Sequence, residues 1–174
     1  MIIRQARVTD APAICEISNA IIRDSLITFT TLERTVSGVA SDIGARGPAY
    51  LVVEQDGAVS GFATYAAFRP GPGYAHTCEH SIQLVPEARG AGTGRRLMER
   101  LQNTAHEAGF HVMVAGVSSA NSGGLAFHKS LGFGEVGRMP EVGFKRGQWL
   151  DLILMQKILG ADDDTGTDTD RSAG

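Results

Sequence analysis

The chain has 174 residues, 43% hydrophobic and 20% charged, enough for one globular unit with a sizeable core and too few for two full-sized domains. Its formal charge of -3 is concentrated at the end: residues 160–174 hold five of the 19 acidic side chains and one of the 16 basic ones, leaving 15 basic and 14 acidic residues in the body. A body so nearly neutral lacks the electrostatic footprint of a nucleic-acid or membrane-surface binder, the two cysteines (Cys15, Cys78) are too few for a disulfide framework, and no charged-then-apolar leader opens the chain, so a cytoplasmic protein is expected.

Ile2 to Ala6 suits a first strand, and Thr9 or Asp10 is placed to cap a helix with Pro12 in its first turn and Ile14, Ile17 and Ile21 on one face. Asp24 to Thr31 reads as an ordered connection. A second helix carries Val36, Val39 and Ile43 and stops at Gly44 or Gly47-Pro48. Tyr50–Glu54 and Val59–Tyr65 flank Asp56-Gly57 as a hairpin, followed by a helix-excluding loop, Phe68 to Gly73. The strand His76–Leu84 points Cys78, His80 and Ile82 to one face and Glu79, Ser81 and Gln83 to the other. After it come a helix with Leu97, Leu101, Ala105 and Ala108 on one stripe, a Val-rich buried strand from Phe110 to Val117, and a helix from Asn121 to Leu131. Strands Phe133–Met139 and Trp149–Ile158 close the order, joined by a polar connection, Glu141 to Gln148. The result is an α/β layer fold with a mixed sheet, residues 1–159, and an acidic tail, 160–174, too polar to fold.

The stretch Arg89-Gly90-Ala91-Gly92-Thr93-Gly94-Arg95-Arg96 joins a strand to a helix. A helix start leaves about four N–H groups unpaired and carries roughly half a positive charge, glycines let an anion approach the backbone, and three arginines add charge, so a diphosphate suits it. The Rossmann fingerprint does not fit, because four strands precede the turn and the spelling is not G-x-G-x-x-G; a P-loop would need Lys after Gly94, where Arg95 stands.

An Arg-x-x-Gly-x-Gly turn after a strand, an amphipathic helix, a buried strand, and Asn121 ahead of a helix ending Leu131-Gly132-Phe133 together resemble the GCN5-related N-acetyltransferases (GNAT), over roughly Ile2 to Leu159. Separate blocks, Thr77-Cys78-Glu79-His80-Ser81, His111 to Gly116, Met139-Pro140-Glu141-Val142-Gly143 and Trp149-Leu150-Asp151-Leu152, look like the phosphinothricin and methionine sulfone/sulfoximine N-acetyltransferases. The resemblance implies a mixed sheet of about seven strands, its central strands splayed, with about four helices, and an enzyme that moves acetyl from acetyl-CoA to the α-amino group of a small L-amino acid or analogue. It also implies a homodimer, in which Glu141 to Gln148 would reach the partner's pocket.

By the same resemblance, Arg89, Gly90, Ala91, Gly92, Thr93, Gly94 and Arg95 hold the diphosphate. The backbone of Ile82, Gln83 and Leu84, freed by a bulge, bonds the acetyl and pantetheine groups, with an amide near Ile82 for the oxyanion, and Asn121 reaches the pantetheine arm or simply caps its helix. Glu79 matches the general base that takes the amine proton, against the alternative of an ion-paired strand glutamate. His80 and Ser81 are candidates for substrate binding, with His80 alternatively a buried core histidine; both His80 and Glu79 serve one pocket only if the bulge re-aims one. His128 stands where many relatives place an acid tyrosine, and the thiolate can also leave without an acid. Arg69, with Pro70 and Gly71, is the candidate anchor for a substrate carboxylate, and Phe29 and Trp149 for the side-chain pocket or for plain packing. His76, His106 and His111 lack metal-ligand spacing, so no metal is expected. Two other readings keep the cofactor: acceptance by a protein N-terminus or polyamine, and a non-catalytic acyl-CoA sensor.

Overall fold

The structure is a computed structural model and describes residues 1–160, so all of the expected acidic tail except Gly160 lies outside the described residues. Seven strands form one sheet in the order β1-β2-β3-β4-β5-β7-β6: β1 (Ile2–Gln5), β2 (Tyr50–Gln55), β3 (Ala58–Ala67), β4 (Thr77–Leu84), β5 (Val112–Ser118), β6 (Gly134–Lys145) and β7 (Gln148–Ile158). Every neighbouring pair is antiparallel except the central one, β4 with β5. Four helices flank the sheet: α1 (Ala11–Asp24), α2 (Val36–Arg46), α3 (Thr93–Glu107) and α4 (Ser122–Ser130). Among the described residues, no helix is long and apolar enough to cross a membrane.

Strand alternation sends each sheet face to its own core. On one face, Leu51, Val53, Ala63, Cys78, Met113, Ala115 and Met155 meet Leu97, Met98, Leu101 and Ala105 of α3 and Leu131 and Phe133 after α4. On the other, Tyr50, Val52 and Phe62 meet Ile14, Ile17 and Ile21 of α1 and Val39 and Ile43 of α2. Leu97, Met98 and Leu101 are fully buried, each contributing about 1.5–3 kcal/mol, so α3 is held by a two-turn apolar stripe and its N-terminus has a fixed position over β4.

Among the described residues, side chains cap two of the four helix starts, those of α2 and α4. Thr35 caps α2 by accepting from the Gly38 N–H at 3.1 Å, whereas Asp10 does not cap α1 with its side chain. Its carboxylate instead accepts from Arg4 at 2.8 Å and from the Arg7 N–H at 2.7 Å, and those hydrogen bonds hold it below the usual carboxylate range.

Two expectations are corrected. Glu141 to Lys145 is strand rather than connection: β6 and β7 form one long hairpin around Arg146-Gly147, interrupted where Pro140, Glu141 and Val142 bulge opposite Asp151. The bulge is pinned by the Asp151 carboxylate, which accepts from the Glu141 N–H at 3.0 Å and from Arg138 at 2.8 Å, so two blocks separated in sequence are one structural unit. The second correction concerns β4, which pairs with β3 without interruption from Gly61–Leu84 to Ala67–Cys78; the expected bulge is not there.

Candidate functional site

Free backbone arises in β4 by splaying rather than bulging. β4 pairs with β5 only at Thr77–Val112, Cys78–Met113 and Glu79–Val114, while β4 runs on to Leu84 and β5 to Ser118. A notch opens between them at Glu79. Val85 donates its N–H to Ser60 at 2.9 Å, so by antiparallel alternation Gln83 turns its backbone groups to β3, and Ile82 and Leu84 turn theirs into the notch. This corrects the expected trio: Gln83 has no backbone group to offer. Its side chain lines the groove instead, and its Oε1 is buried without a hydrogen-bond partner. The Leu84 carbonyl accepts from the Arg89 guanidinium at 3.0 Å, which ties the turn to the strand end.

The groove has a volume of about 500 Å³ and runs from Ile82 past Gly90, Gly92 and Gly94 to Asn121 and Phe127. Gly90 and Gly92 sit at φ 81° and 78°, where a Cβ would meet nothing within 4 Å, so the turn is shaped for backbone conformation and leaves open space over its amides. Gly94 serves packing: a Cβ there would lie 3.2 Å from the Phe127 ring and 3.3 Å from Leu84. No side chain caps α3, so the amides of Thr93, Gly94 and Arg95 have no intrahelical partner. Arg95 donates to Ser130 O at 2.9 Å, and Ala91 lies exposed in the turn. Asn121 caps α4 by accepting from the Gly124 N–H at 2.8 Å, and its Nδ2 makes no hydrogen bond among the described residues. A strand edge with the free peptide of Ile82 and the free N–H of Leu84, leading to an uncapped helix start in an open glycine turn, fits an extended amide-containing arm that ends in a diphosphate.

Glu79 and Ser81 share the opposite face of β4 from His80. The Glu79 carboxylate lies over β5: a Cβ on Gly116 would sit 3.2 Å from its Oε1 and 3.3 Å from Leu152 Cδ1. Desolvation there raises the Glu79 pKa above the ordinary carboxylate value. No ion pair or hydrogen bond to another side chain engages it among the described residues.

His80 and His128 meet instead on the α3/α4 side, both buried, their Nε2 atoms 3.2 Å apart. The Gly124 carbonyl lies 2.7 Å from His128 Nδ1 and can only accept, so Nδ1 carries the proton; the bare Nε2 of His128 then accepts from His80 Nε2–H, and His80 Nδ1 is left bare and unpartnered. Burial lowers both pKa values, with mutual repulsion adding for His80. His128 lines the groove, but its protons are committed and the ring is neutral, so it has no N–H to offer a thiolate. With no bulge to re-aim it, His80 does not share a pocket with Glu79; it is the buried alternative of the sequence reading.

Arg69, Pro70 and Gly71 follow β3 in an exposed loop, where the Arg69 guanidinium stacks 5.2 Å from the Phe68 ring. They stand beside the start of β4 because Phe68 N–H bonds Thr77 O at 3.1 Å, but nothing joins Arg69 to Glu79. Phe29 packs on the bare backbone of Gly143, its ring 2.6 Å from where a Cβ would be. Trp149 is 63% exposed against Phe144 on the hairpin and lines no pocket described here. Lys145, buried, donates to Thr28 O at 2.8 Å, and Arg146 bonds Arg23 O, so the hairpin holds the connection between α1 and α2 in place. Gly116 and Leu152 stand in blocks that carry the resemblance but received no role at the site, and Lys145 received none either. Gly116 carried a signal, a glycine inside a Val-rich strand, which marks close approach; Lys145 carried none. Among the described residues, no group of three or more His, Cys, Asp or Glu is arranged to hold a metal ion.

Residues 18–133 match the model of the Acetyltransferase (GNAT) family. The chain is 40% identical over 159 residues to the L-amino acid N-acyltransferase MnaT of Escherichia coli, covering 90% of this chain and 92% of that one. It is also 40% identical over 161 residues to an L-methionine sulfoximine/L-methionine sulfone acetyltransferase of Salmonella typhimurium, covering 90% and 93%. Among solved structures, a GNAT superfamily phosphinothricin acetyltransferase from Sinorhizobium meliloti in complex with AcCoA superposes with a TM-score of 0.86 at 33% identity, covering 96% of this chain and 91% of that one.

Proposed function

The chain belongs to the GNAT acetyltransferase family, and on that premise we propose that it transfers acetyl from acetyl-CoA to the α-amino group of a small L-amino acid or analogue of the methionine sulfone, methionine sulfoximine or phosphinothricin kind. The observation that carries this is the notch itself. It has free peptide groups at Ile82 and a free N–H at Leu84, whose carbonyl is held by Arg89, with an uncapped helix start at one end and, at the apex, Glu79, whose carboxylate has no ion pair among the described residues.

Acetyl-CoA supplies an activated acetyl group. The amides of Thr93, Gly94 and Arg95 and the open turn at Gly90, Ala91 and Gly92 hold its diphosphate, with Arg89 and Arg95 at the rim. Ile82 and Leu84 bond its arm as a strand would, with Asn121 Nδ2 and the Gln83 amide as further partners. The Ile82 N–H, aimed into the notch, is the donor for charge developing on the carbonyl oxygen. An α-amine attacks only when neutral, and Glu79, whose raised pKa makes it a better proton acceptor, takes the proton. The thiol, with an ordinary pKa of about 8.5, leaves as thiolate without a histidine acid. Ser81 faces the acceptor beside Glu79, and Arg69, with Pro70 and Gly71, is the anchor for the acceptor carboxylate.

Residues 1–159 make up the catalytic unit, working in the cytoplasm as a homodimer. The exposed apolar strip Val136, Met139, Val142, Phe144 and Trp149 on the β6–β7 hairpin supports the dimer. Thiol release from acetyl-CoA with methionine sulfone, methionine sulfoximine, phosphinothricin, spermine and a short peptide tests the acceptor class; preference for spermine or the peptide would overturn it. Glu79→Gln should cut turnover by about 10²- to 10⁴-fold with acetyl-CoA affinity within about twofold, and undiminished turnover would remove Glu79 as the base.

A further inference from the structure

The apex of the notch contains two residues, Gly116 and Leu152, that stand in the blocks carrying the resemblance but have no role assigned to them. Gly116 lies on β5 two positions beyond the last β4–β5 pair, on the same strand face as Val114, and it pairs with Leu154 of β7. It has ordinary backbone dihedrals, so conformation does not require glycine there. Space does. The Glu79 Oε1 and the Leu152 Cδ1 both occupy the region above its Cα, 3.2 and 3.3 Å from the Cβ position. Leu152 in turn is held firmly: the main chain of its neighbour Asp151 donates its N–H to the Ser119 side-chain Oγ at 3.1 Å and accepts the Ser119 N–H at its carbonyl at 2.9 Å, while the Asp151 carboxylate pins the 140–142 bulge.

We infer that Gly116 and Leu152 are positioning residues for Glu79: the missing side chain of Gly116 gives the carboxylate a seat against the strand, and Leu152 covers that seat with hydrocarbon. The inference rests on the reading of Glu79 as base. The groups beside Glu79 on the flanking strands are Ala66 of β3 and Val114 of β5, with Leu152 from β7. None is titratable; Glu79 is open to solvent on one side, and partial desolvation on its strand side is the cause of its raised affinity for its proton. Seat and cover therefore act through desolvation and position rather than through a charge partner. A carboxylate left free of ion pairs remains available to an incoming ammonium, whereas an arginine at this place would stabilise the ionised form and weaken the base.

The test reads Glu79 directly and through catalysis. In protein labelled with ¹³C at the Glu side-chain carboxyl, the resonance absent from Glu79→Gln identifies Glu79, and its titration gives the pKa without any substrate. Leu152→Ala should lower that pKa, and the acid limb of kcat/KM with methionine sulfone should move down with it. Gly116→Ala should cut kcat about 10- to 100-fold by displacing the carboxylate, with KM for acetyl-CoA within about twofold. In a Glu79→Asp background, whose carboxylate is one methylene shorter, the same Gly116→Ala change should cost much less. An unmoved Glu79 titration in Leu152→Ala, or Gly116→Ala as active as the parent, overturns the inference. If Glu79→Gln itself keeps full turnover and the acid limb, the base reading has failed and this one with it; loss of the limb in Glu79→Gln but not its shift in Leu152→Ala defeats the present inference alone.

Discussion

Gly92 offers a clean separation of conformation from charge at the proposed diphosphate site. It sits at φ 78° immediately before α3, with no atom within 4 Å of a Cβ position, so Asn and Asp can both be placed there without a clash. Each pays the same left-handed backbone cost, at most about 1 kcal/mol because short polar side chains tolerate that region. They differ by one negative charge. An Asp carboxylate roughly 5 Å from a diphosphate carrying about two charges costs about 1.5–3 kcal/mol for an effective dielectric of about 40–80. That predicts an acetyl-CoA dissociation constant roughly 10- to 150-fold weaker for Gly92→Asp than for Gly92→Asn. Titration calorimetry with acetyl-CoA at about 0.1 M and 1 M salt checks both the ratio and its origin, since the screening length falls from about 10 to 3 Å and the gap should narrow. Equal affinities for the two variants at low salt would refute a diphosphate over this turn, and a gap that ignores salt would refute the electrostatic account.

The His80–His128 pair sets an acid limit on stability. The unfolded chain takes up protons from about pH 6.5 downward while the buried rings resist, so stability is intact above that pH and drains below it, by up to about 1.4 kcal/mol per pH unit for each ring. Urea unfolding between pH 7 and 5 should show His80→Leu with a visibly shallower slope than the parent; identical slopes would mean the rings protonate in the fold. The proposed dimer predicts that Trp149→Glu, a change at an exposed position, yields a folded monomer in sedimentation velocity, and a parent already monomeric at tens of micromolar would remove the proposal.

The cofactor half was legible because its determinants are local. The glycine turn, the α3 stripe and the Asn121 cap each lie within one short stretch, and backbone geometry alone gives them meaning. The source of free backbone was misread: a bulge and a splay both release peptide groups, and only the three-residue β4–β5 ladder distinguishes them. His128 read as an acid by its place in the resemblance or else as a solvent-facing helix histidine, because helix spacing gives no account of the partner across the core; its hydrogen bonds to Gly124 and His80 decide its tautomer. The strand Glu141–Lys145 was hidden because its burial runs against its polarity, with Gly143 and Lys145 buried while Val142 and Phe144 are exposed, as an edge strand permits. Lys145 on Thr28 spans 117 positions, a separation at which sequence carries no periodicity to follow.

The splay between β4 and β5 also has a consequence for the protein's stability. A central strand with an unpaired peptide at Ile82 and a free N–H at Leu84 is an edge in the middle of a sheet, a template on which an extended chain can pair. An arm of amides laid into that gap acts as the missing strand, so the acetyl donor doubles as a folding ligand. By mass action a donor that binds the folded chain and not the unfolded one stabilises it, so the unfolding temperature should rise with acetyl-CoA concentration.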